Sequence, residues 1–331
     1  MVDKPLPGAV GWKDAMGLRF LKEHWFLCAL ACCLTIGVLQ AQRWEGISRL
    51  ALLRQAPVAI VLFLRALPVP ASQLLDAIRA WREALLAIAL NVVVLPLLAW
   101  LMTWGWSADL AGGMIVAAVV PCTLASAALW TRRGSGNDSL AILVTIVTNA
   151  NCFWIAPLWI SLLMGREVAV QPLPMLTDLA LLVLLPMVLG QWLGSMPAIR
   201  QRMNQAKKVV GVICQVGILW MVLLGAIQMG LPRAGQEPLG WQSTAMVVLV
   251  ASAMHLAMLA AGWWASGWIG ASRGNRVAVA IAGSQKTLMV GLKLGIDCGV
   301  SILPMVVYHA AQLLLDAIWV EWLQRGDSTK K

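Results

Sequence analysis

Two short stretches hold residue types that could do chemistry in an otherwise apolar chain. In "AIAGSQKTLMVG", Ala280 to Gly291, the residues Gly283, Ser284, Gln285, Lys286 and Thr287 set one cation among small and polar neighbours. In "VVPCTLASAALWTRR", Val119 to Arg133, Pro121 precedes Thr123, Ala125, Ser126 and Ala127. Proline lacks an N–H and its ring crowds the preceding turn, so a helix carrying that run kinks or breaks there. A lysine at mid-membrane facing lipid costs roughly 2.5–3.5 kcal/mol on insertion scales. Its side chain reaches only part of the way to the interface, so Lys286 is expected to face the protein interior. Two readings stay open for it: a structural cation satisfied by carbonyls freed at a break, or a position that binds substrate or a coupling ion. Pro121 likewise either kinks a buried helix or opens a site.

The elements that must position these residues are membrane helices. Of 331 residues, 60% are hydrophobic and 12% charged, against about 25% charged in a soluble domain. Segments able to cross about 30 Å of hydrocarbon need roughly 20 mostly apolar residues. Ten candidates run 24–41, 50–67, 84–104, 109–131, 138–164, 175–196, 207–229, 243–269, 277–295 and 298–323. The first residues lack the apolar core and cleavage site of a secretory signal, and the amino terminus is expected to be retained.

Lys plus Arg exceed Asp plus Glu by 25 to 15. These bases sit between apolar runs, which points to membrane orientation and not to nucleic acid. Lys4, Lys13, Arg19, Lys22, Arg65, Arg79, Arg82, Arg132, Arg133, Arg200, Arg202, Lys207, Lys208, Arg273, Arg276, Arg325, Lys330 and Lys331 fall on one side. Arg43, Arg49, Arg166, Arg233 and Lys293 fall on the other, and Arg54 and Lys286 fall within spans. Both termini are therefore expected in the cytoplasm, with the protein multi-pass in the cell (plasma or inner) membrane. An even span number with both ends on one side is compatible with two inverted five-helix halves.

Pro121 lies twelve residues from Asp109 and eleven from Arg132, and Lys286 lies ten from Arg276 and seven from Lys293. Both are near mid-depth, in the fourth and ninth spans, which hold the same ordinal place in the two halves. Unwound backbone at that depth is tolerated only where protein buries it or a wet cavity takes it up.

At these motifs the chain resembles the bile acid:sodium symporter superfamily, in the SBF-like branch related to sodium/bile acid cotransporter seven. The residues carrying the resemblance are Pro121 to Ala127, Gly136 with Asn137, and Gly283 to Thr287, in that order across ten spans. The resemblance implies an all-α polytopic fold of ten transmembrane helices in two inverted five-helix repeats. The first repeat would cover 24–164 and the second 165–323, between a cytoplasmic segment 1–23 and a tail 324–331. It implies a panel domain from helices 1, 2, 6 and 7 and a core domain from helices 3–5 and 8–10, with helices 4 and 9 broken and crossing at the binding site.

Sodium-coupled members place ion ligands at positions that map to Asn91, Ser126, Ala127, Ala141, Thr145, Ile281, Ser284 and Gln285. Ile281 stands where those members carry a glutamate, and Ala127 and Ala141 replace side-chain oxygens. A hard cation needs oxygen ligands and charge balance; here the sequence offers the ammonium of Lys286 in place of an ion. The expected substrate and ion site is therefore Asn91, Pro121, Thr123, Ser126, Asn137, Thr145, Gly283, Ser284, Gln285, Lys286 and Thr287, without metal or cofactor.

The function implied is secondary active transport of a small organic, anionic solute by alternating access. It is expected to be independent of sodium and open to proton coupling, since a lysine in low-dielectric surroundings can give up its proton. Alternatives are a sodium-coupled symporter and a non-transporting regulator of ion (calcium) homeostasis. A membrane enzyme using His255, His309 or Cys122 finds no supporting motif spacing. The seven cysteines, Cys28, Cys32, Cys33, Cys122, Cys152, Cys214 and Cys298, read as packing residues. Arg54 reads as a snorkelling or anion-recognising residue, His255 and His309 as hydrogen-bonded interior residues, and Asp316 as a solvated or cap-paired carboxylate. Trp25, Trp44, Trp104, Trp106, Trp268, Trp319 and Trp322 read as interfacial belts, and Trp263 and Trp264 as deeper packing residues.

Overall fold

The computed structural model describes residues 25–26, 28–68, 77–124, 126–165, 172–231 and 240–328. The segment 1–23, Ala125, and the basic residues Lys4, Lys13, Arg19, Lys22, Arg166, Arg233, Lys330 and Lys331 lie outside the described residues. Among those described there are thirteen helices and no strand. In hydrocarbon a backbone donor has no water to turn to, so helices, which pair their own N–H and C=O groups, are the form an isolated apolar segment can take.

The helices are α1 (Cys28–Leu39), α2 (Ala41–Arg49), α3 (Ala51–Ala66), α4 (Trp81–Met102), α5 (Ala108–Val119), α6 (Ser126–Arg133) and α7 (Asp138–Met164). They continue with α8 (Leu173–Gly194), α9 (Pro197–Gly230), α10 (Trp241–Trp268), α11 (Arg273–Ser284), α12 (Leu288–Asp297) and α13 (Leu303–Ser328). Among the described residues seven stretches are long and apolar enough to span a membrane: α4, α7, α8, α9, α10, α11 with α12, and α13. The α2–α3 pair, bent by 70°, makes an eighth if taken as one span, and α1 and α5 are shorter apolar helices.

Local chemistry sets many of the ends. Asn137 caps α7 by accepting from the Leu140 amide at 3.2 Å, and Ser272 caps α11 by accepting from Asn275 at 3.3 Å, the geometry that relieves orphan N–H groups. After α12, Gly299 takes a φ of +67° while Val300 donates back to Gly295 at 3.0 Å. A side chain strains at that φ and glycine does not. Two π turns, Leu90–Val94 in α4 and Ala180–Leu184 in α8, each lie just before a proline, Pro96 and Pro186. The wider turn takes up the amide that proline lacks and the space its ring needs.

Both expected breaks are present. The backbone leaves the helix after Val119 and resumes at Ser126, and leaves again after Ser284 and resumes at Leu288. Other boundaries moved. Arg43 and Arg49, expected in a loop, lie on α2, whose joint with α3 is the extended Leu50. Arg200, Arg202, Lys207 and Lys208 also belong to a helix, because Pro197 starts α9 some ten residues early with its φ already helical.

The helices pack in two groups joined by α12, which lies against α3 and α9 as well as α5 and α13, and by α7 against α8. In one, α3 lies against α8 and α9, and α2 against α9. In the other, α11 lies against α4, α6, α7 and α10, while α13 lies against α5 and α10. At the centre, every residue from Val277 to Ile296 is buried. Gly262 of α10 makes that possible on one side: a Cβ there would meet the Ala280 backbone, so the two helices touch through glycine. Trp263 packs edge-to-face on Trp319 at 5.8 Å, with the Arg276 guanidinium 4.0 Å from its ring centre, a cation–π contact.

Candidate functional site

The two breaks meet. The Thr287 amide donates to the Pro121 carbonyl at 2.9 Å, joining one extended stretch to the other. A break at this depth leaves backbone groups that must find partners inside the protein, and nearly every side chain around the meeting point serves that need. On the α5–α6 side the Cys122 amide donates to Thr148 Oγ1 at 3.2 Å, and the Cys122 carbonyl accepts from Asn149 Nδ2 at 2.7 Å. Thr145 Oγ1 donates to the Ala141 carbonyl at 2.8 Å and approaches the Thr123 carbonyl at 3.4 Å. On the α11–α12 side the Ser284 carbonyl accepts from Tyr308 Oη at 2.8 Å. Asn91 Nδ2 donates to the carbonyls of Ala282 and Gln285, both at 3.0 Å. Gln312 clamps one peptide unit: its Oε1 accepts from the Lys286 amide at 2.9 Å and its Nε2 donates to the Lys286 carbonyl at 3.0 Å.

Lys286 is fully buried, and its ammonium has three oxygen acceptors. Nζ donates to the Asn91 carbonyl at 2.6 Å, to Asn91 Oδ1 at 3.0 Å and to the Val120 carbonyl at 2.7 Å. An ammonium has three N–H bonds, so the count closes. No carboxylate of the described residues is in that shell; the charge is offset by the Val120 carbonyl at the end of α5 and by the two oxygens of Asn91 in the π turn of α4. The nearest acid in the network is Asp316, also fully buried. Its Oδ2 accepts from Gln285 Nε2 at 2.5 Å and its Oδ1 lies 2.9 Å from His255 Nε2. Gln285 Oε1 in turn accepts from Ser126 Oγ at 2.9 Å, so α6, α11, α13 and α10 are tied through one amide.

Asn91, Pro121, Thr123, Ser126, Thr145, Ser284, Gln285, Lys286 and Thr287 are thus brought together. Gly283 lies beside them but packs on Leu90 and offers no polar group. Asn137 sits elsewhere: its Nδ2 donates to Asn275 Oδ1 at 2.9 Å and its amide to Gly274, tying the starts of α7 and α11. Eight residues along α7 put it about 12 Å from Thr145. Asp316 is not solvated, because α13 continues past it to Ser328 and carries it among α10 and α11. Lys293, expected as an outer loop charge, is buried on α12 and pairs with Asp178 of α8 at 3.2 Å and Asp297 at 2.5 Å. Arg65, expected in a loop, closes α3 and lines a cavity of about 180 Å³ between α3, α9 and the breaks.

Sequence reasoning missed Tyr308, Gln312, Thr148 and Asn149. A signal was present: Tyr308, Gln312 and Asp316 recur every four residues, one face of a helix. Thr145, Thr148, Asn149 and Cys152 make a similar stripe on α7.

Comparison with known proteins identifies the family. Residues 24–325 match the model of the SBF-like CPA transporter family. The chain is 22% identical over 276 residues to YfeH of Escherichia coli (strain K12), a candidate symporter by name, covering 80% of this chain and 82% of that one. It is 27% identical over 243 residues to the Arabidopsis thaliana "probable sodium/metabolite cotransporter BASS4, chloroplastic", covering 67% of this chain and 54% of that longer protein. It is 20% identical over 315 residues to "sodium/bile acid cotransporter 7" of Danio rerio, covering 90% and 93%. The family and these relatives are transporters, not enzymes. A multi-span helical membrane protein matched over nearly its whole length, the chain belongs to the SBF-like CPA transporter family, within the bile acid:sodium symporter superfamily.

Proposed function

We propose that the protein is a secondary transporter of a small organic anion, working by alternating access, in which the ammonium of Lys286 holds the place of a bound cation. The observation carrying this is the triple coordination of Lys286 Nζ by the Asn91 carbonyl, Asn91 Oδ1 and the Val120 carbonyl. The Val120 carbonyl at the end of broken α5 carries partial negative charge, the Asn91 carbonyl in the π turn of α4 is a second acceptor, and a tethered ammonium offsets both with no ion from solution. Asn91, Thr123, Ser126, Thr145, Ser284, Gln285, Lys286 and Thr287 form the site.

Packing supports the moving parts. Taking α1, α3, α4, α5 with α6, and α7 as five spans, and α8, α9, α10, α11 with α12, and α13 as five more, gives repeats at 24–164 and 165–323. The set of α1–α3, α8 and α9 is the panel, and the remaining helices are the core. Both termini lie in the cytoplasm, in the cell membrane.

Counterflow in proteoliposomes tests the reading. Labelled solute should exchange at equal rates in sodium and potassium, and Lys286→Gln should either stop exchange or make it depend on sodium. Exchange by the wild type that rises steeply with sodium alone would show a sodium symporter of the kind the relatives are named for. Ligand binding without any exchange would show a regulator.

A further inference from the structure

The cavity between α3, α9 and the breaks has two walls of different character. Arg65 reaches it from the last turn of α3. The opposite wall carries Thr123, Ser126 and Thr287 at the breaks, with Leu62 and Ile218 among the apolar lining. No aspartate or glutamate of the described residues lines it.

Two groups here lack the partners they would normally have. Among the described residues Arg65 has no carboxylate within ion-pair distance; a neighbour is the Cys214 thiol, a weak acceptor. Thr287, more than nine-tenths buried, stands at the N-cap of α12 yet does not cap it, and its hydroxyl has no hydrogen bond among the described residues. A threonine in that place usually accepts from the second or third helical amide. Here the hydroxyl and the positive end of α12 are both left to the cavity.

Charge narrows what would fill it. Lys286 is held by carbonyl and amide oxygens and Asp316 by Gln285 and His255, while Arg65 brings a formal positive charge to the cavity with no carboxylate among the described residues lining it. Size narrows it again. At about 30 Å³ per water the cavity has the volume of roughly six waters, and it is smaller than the about 300 Å³ where drug-sized sites begin.

We infer that Arg65 and Thr287 form a two-sided clamp for the charged head of a small organic monoanion, and that Arg65 sets the specificity for it. The inference rests on the transport reading above. A carboxylate can take two parallel N–H bonds from the guanidinium and a third from the Thr287 hydroxyl. Because Arg65 stands on α3 and Thr287 at the start of α12, two helices already in contact, an occupied clamp fastens α3 to the second break.

The test uses the full chain in lipid nanodiscs, with acetate, lactate and acetoacetate as probes, lactamide as neutral control and taurocholate as steroid anion. At least one monocarboxylate should raise the melting temperature, and lactamide should not. Arg65→Gln should weaken that binding at least about tenfold, since a hydrogen bond to a charged group contributes ~1.5–3 kcal/mol. Arg65→Lys should keep part of it, and Thr287→Val should weaken it several-fold. Equal binding by wild type and Arg65→Gln, or stabilisation by taurocholate alone, overturns the clamp. Should Arg65→Gln prove unstable, Arg65→Lys and Thr287→Val both binding like wild type overturn it as well. Counterflow separates the two ideas. Arg65-dependent binding without exchange removes the transport reading and leaves the clamp. Exchange of another solute with no monocarboxylate bound does the reverse.

Discussion

The ammonium of Lys286 lies 2.6 Å from the backbone oxygen of Asn91, a carbonyl that the surrounding helix leaves free. In the π turn Leu95 donates to Leu90 and not to Asn91, and the next residue, Pro96, has no N–H to give. A proline in one span therefore prepares the acceptor for a lysine some two hundred positions away. This relationship gives Pro96 a role that a reading of it as a simple kink would miss.

Pro96→Ala should expose that role. It restores an N–H one π turn from Asn91, which then competes with Lys286 for the same oxygen. The melting temperature should hold or rise, since proline inside a helix is costly, while solute exchange slows. Unchanged exchange would show the carbonyl to be incidental.

Lys286→Met keeps most of the unbranched side chain, one atom shorter, and removes the donors. Three buried oxygens lose their partner, at about 1–3 kcal/mol for each left unsatisfied. A melting temperature lower by several degrees is expected, and a variant as stable as wild type would argue against the coordination.

Gln312→Leu acts on the same residue through its backbone. The amide and carbonyl of Lys286 both lose their clamp, so hydrogen–deuterium exchange should accelerate in the peptide covering residues 285–287. Protection equal to wild type there would mean that other groups hold the break.

Asp178→Asn tests the contact between the two packing sets. Asp178 is half exposed, so its pair with buried Lys293 should stabilise by under about 1 kcal/mol, and Asp297 remains to hold the lysine. Little change in melting temperature is expected, with a broader distribution of spin-label distances between α8 and α12. A distribution identical to wild type would show that the pair does not restrain them.

Gly262→Val places atoms where the Ala280 backbone passes. Backbone cannot move aside as a side-chain tip can, and α10 and α11 must separate. Loss of monodisperse protein on size-exclusion chromatography is expected; a stable, functional variant would contradict the close approach.

What the sequence made legible follows from where the physics is local. Pro121 and the GSQKT run announce their breaks because proline and a mid-membrane lysine are costly anywhere else. Asn91, Ser126 and Gln285 came through the family resemblance and do meet at the breaks. Gln312 and Tyr308 were not legible: a glutamine in an apolar span has many uses, and only the packing of α13 shows that it pairs with the peptide of Lys286. Asn137, whose place in the motif suggested a ligand, stands apart from the breaks, where its position before Asp138 makes it a cap. Arg65 looked like one more orienting charge until the fold turned it toward a cavity.

The continuous burial of Val277 to Ile296 has a consequence for how the protein is made. This stretch, α11 with α12, is the least apolar of the seven candidate spans, and in the finished protein it meets other helices on every side. Lipid is its surroundings only during synthesis. Its low hydropathy makes it a poor insertion substrate by itself, so its place in the bilayer depends on the helices it packs against, α4, α6, α7 and α10 among them. Damage to those neighbours would first be felt at the ribosome and the quality-control protease, as missing protein, before any transport defect could be measured.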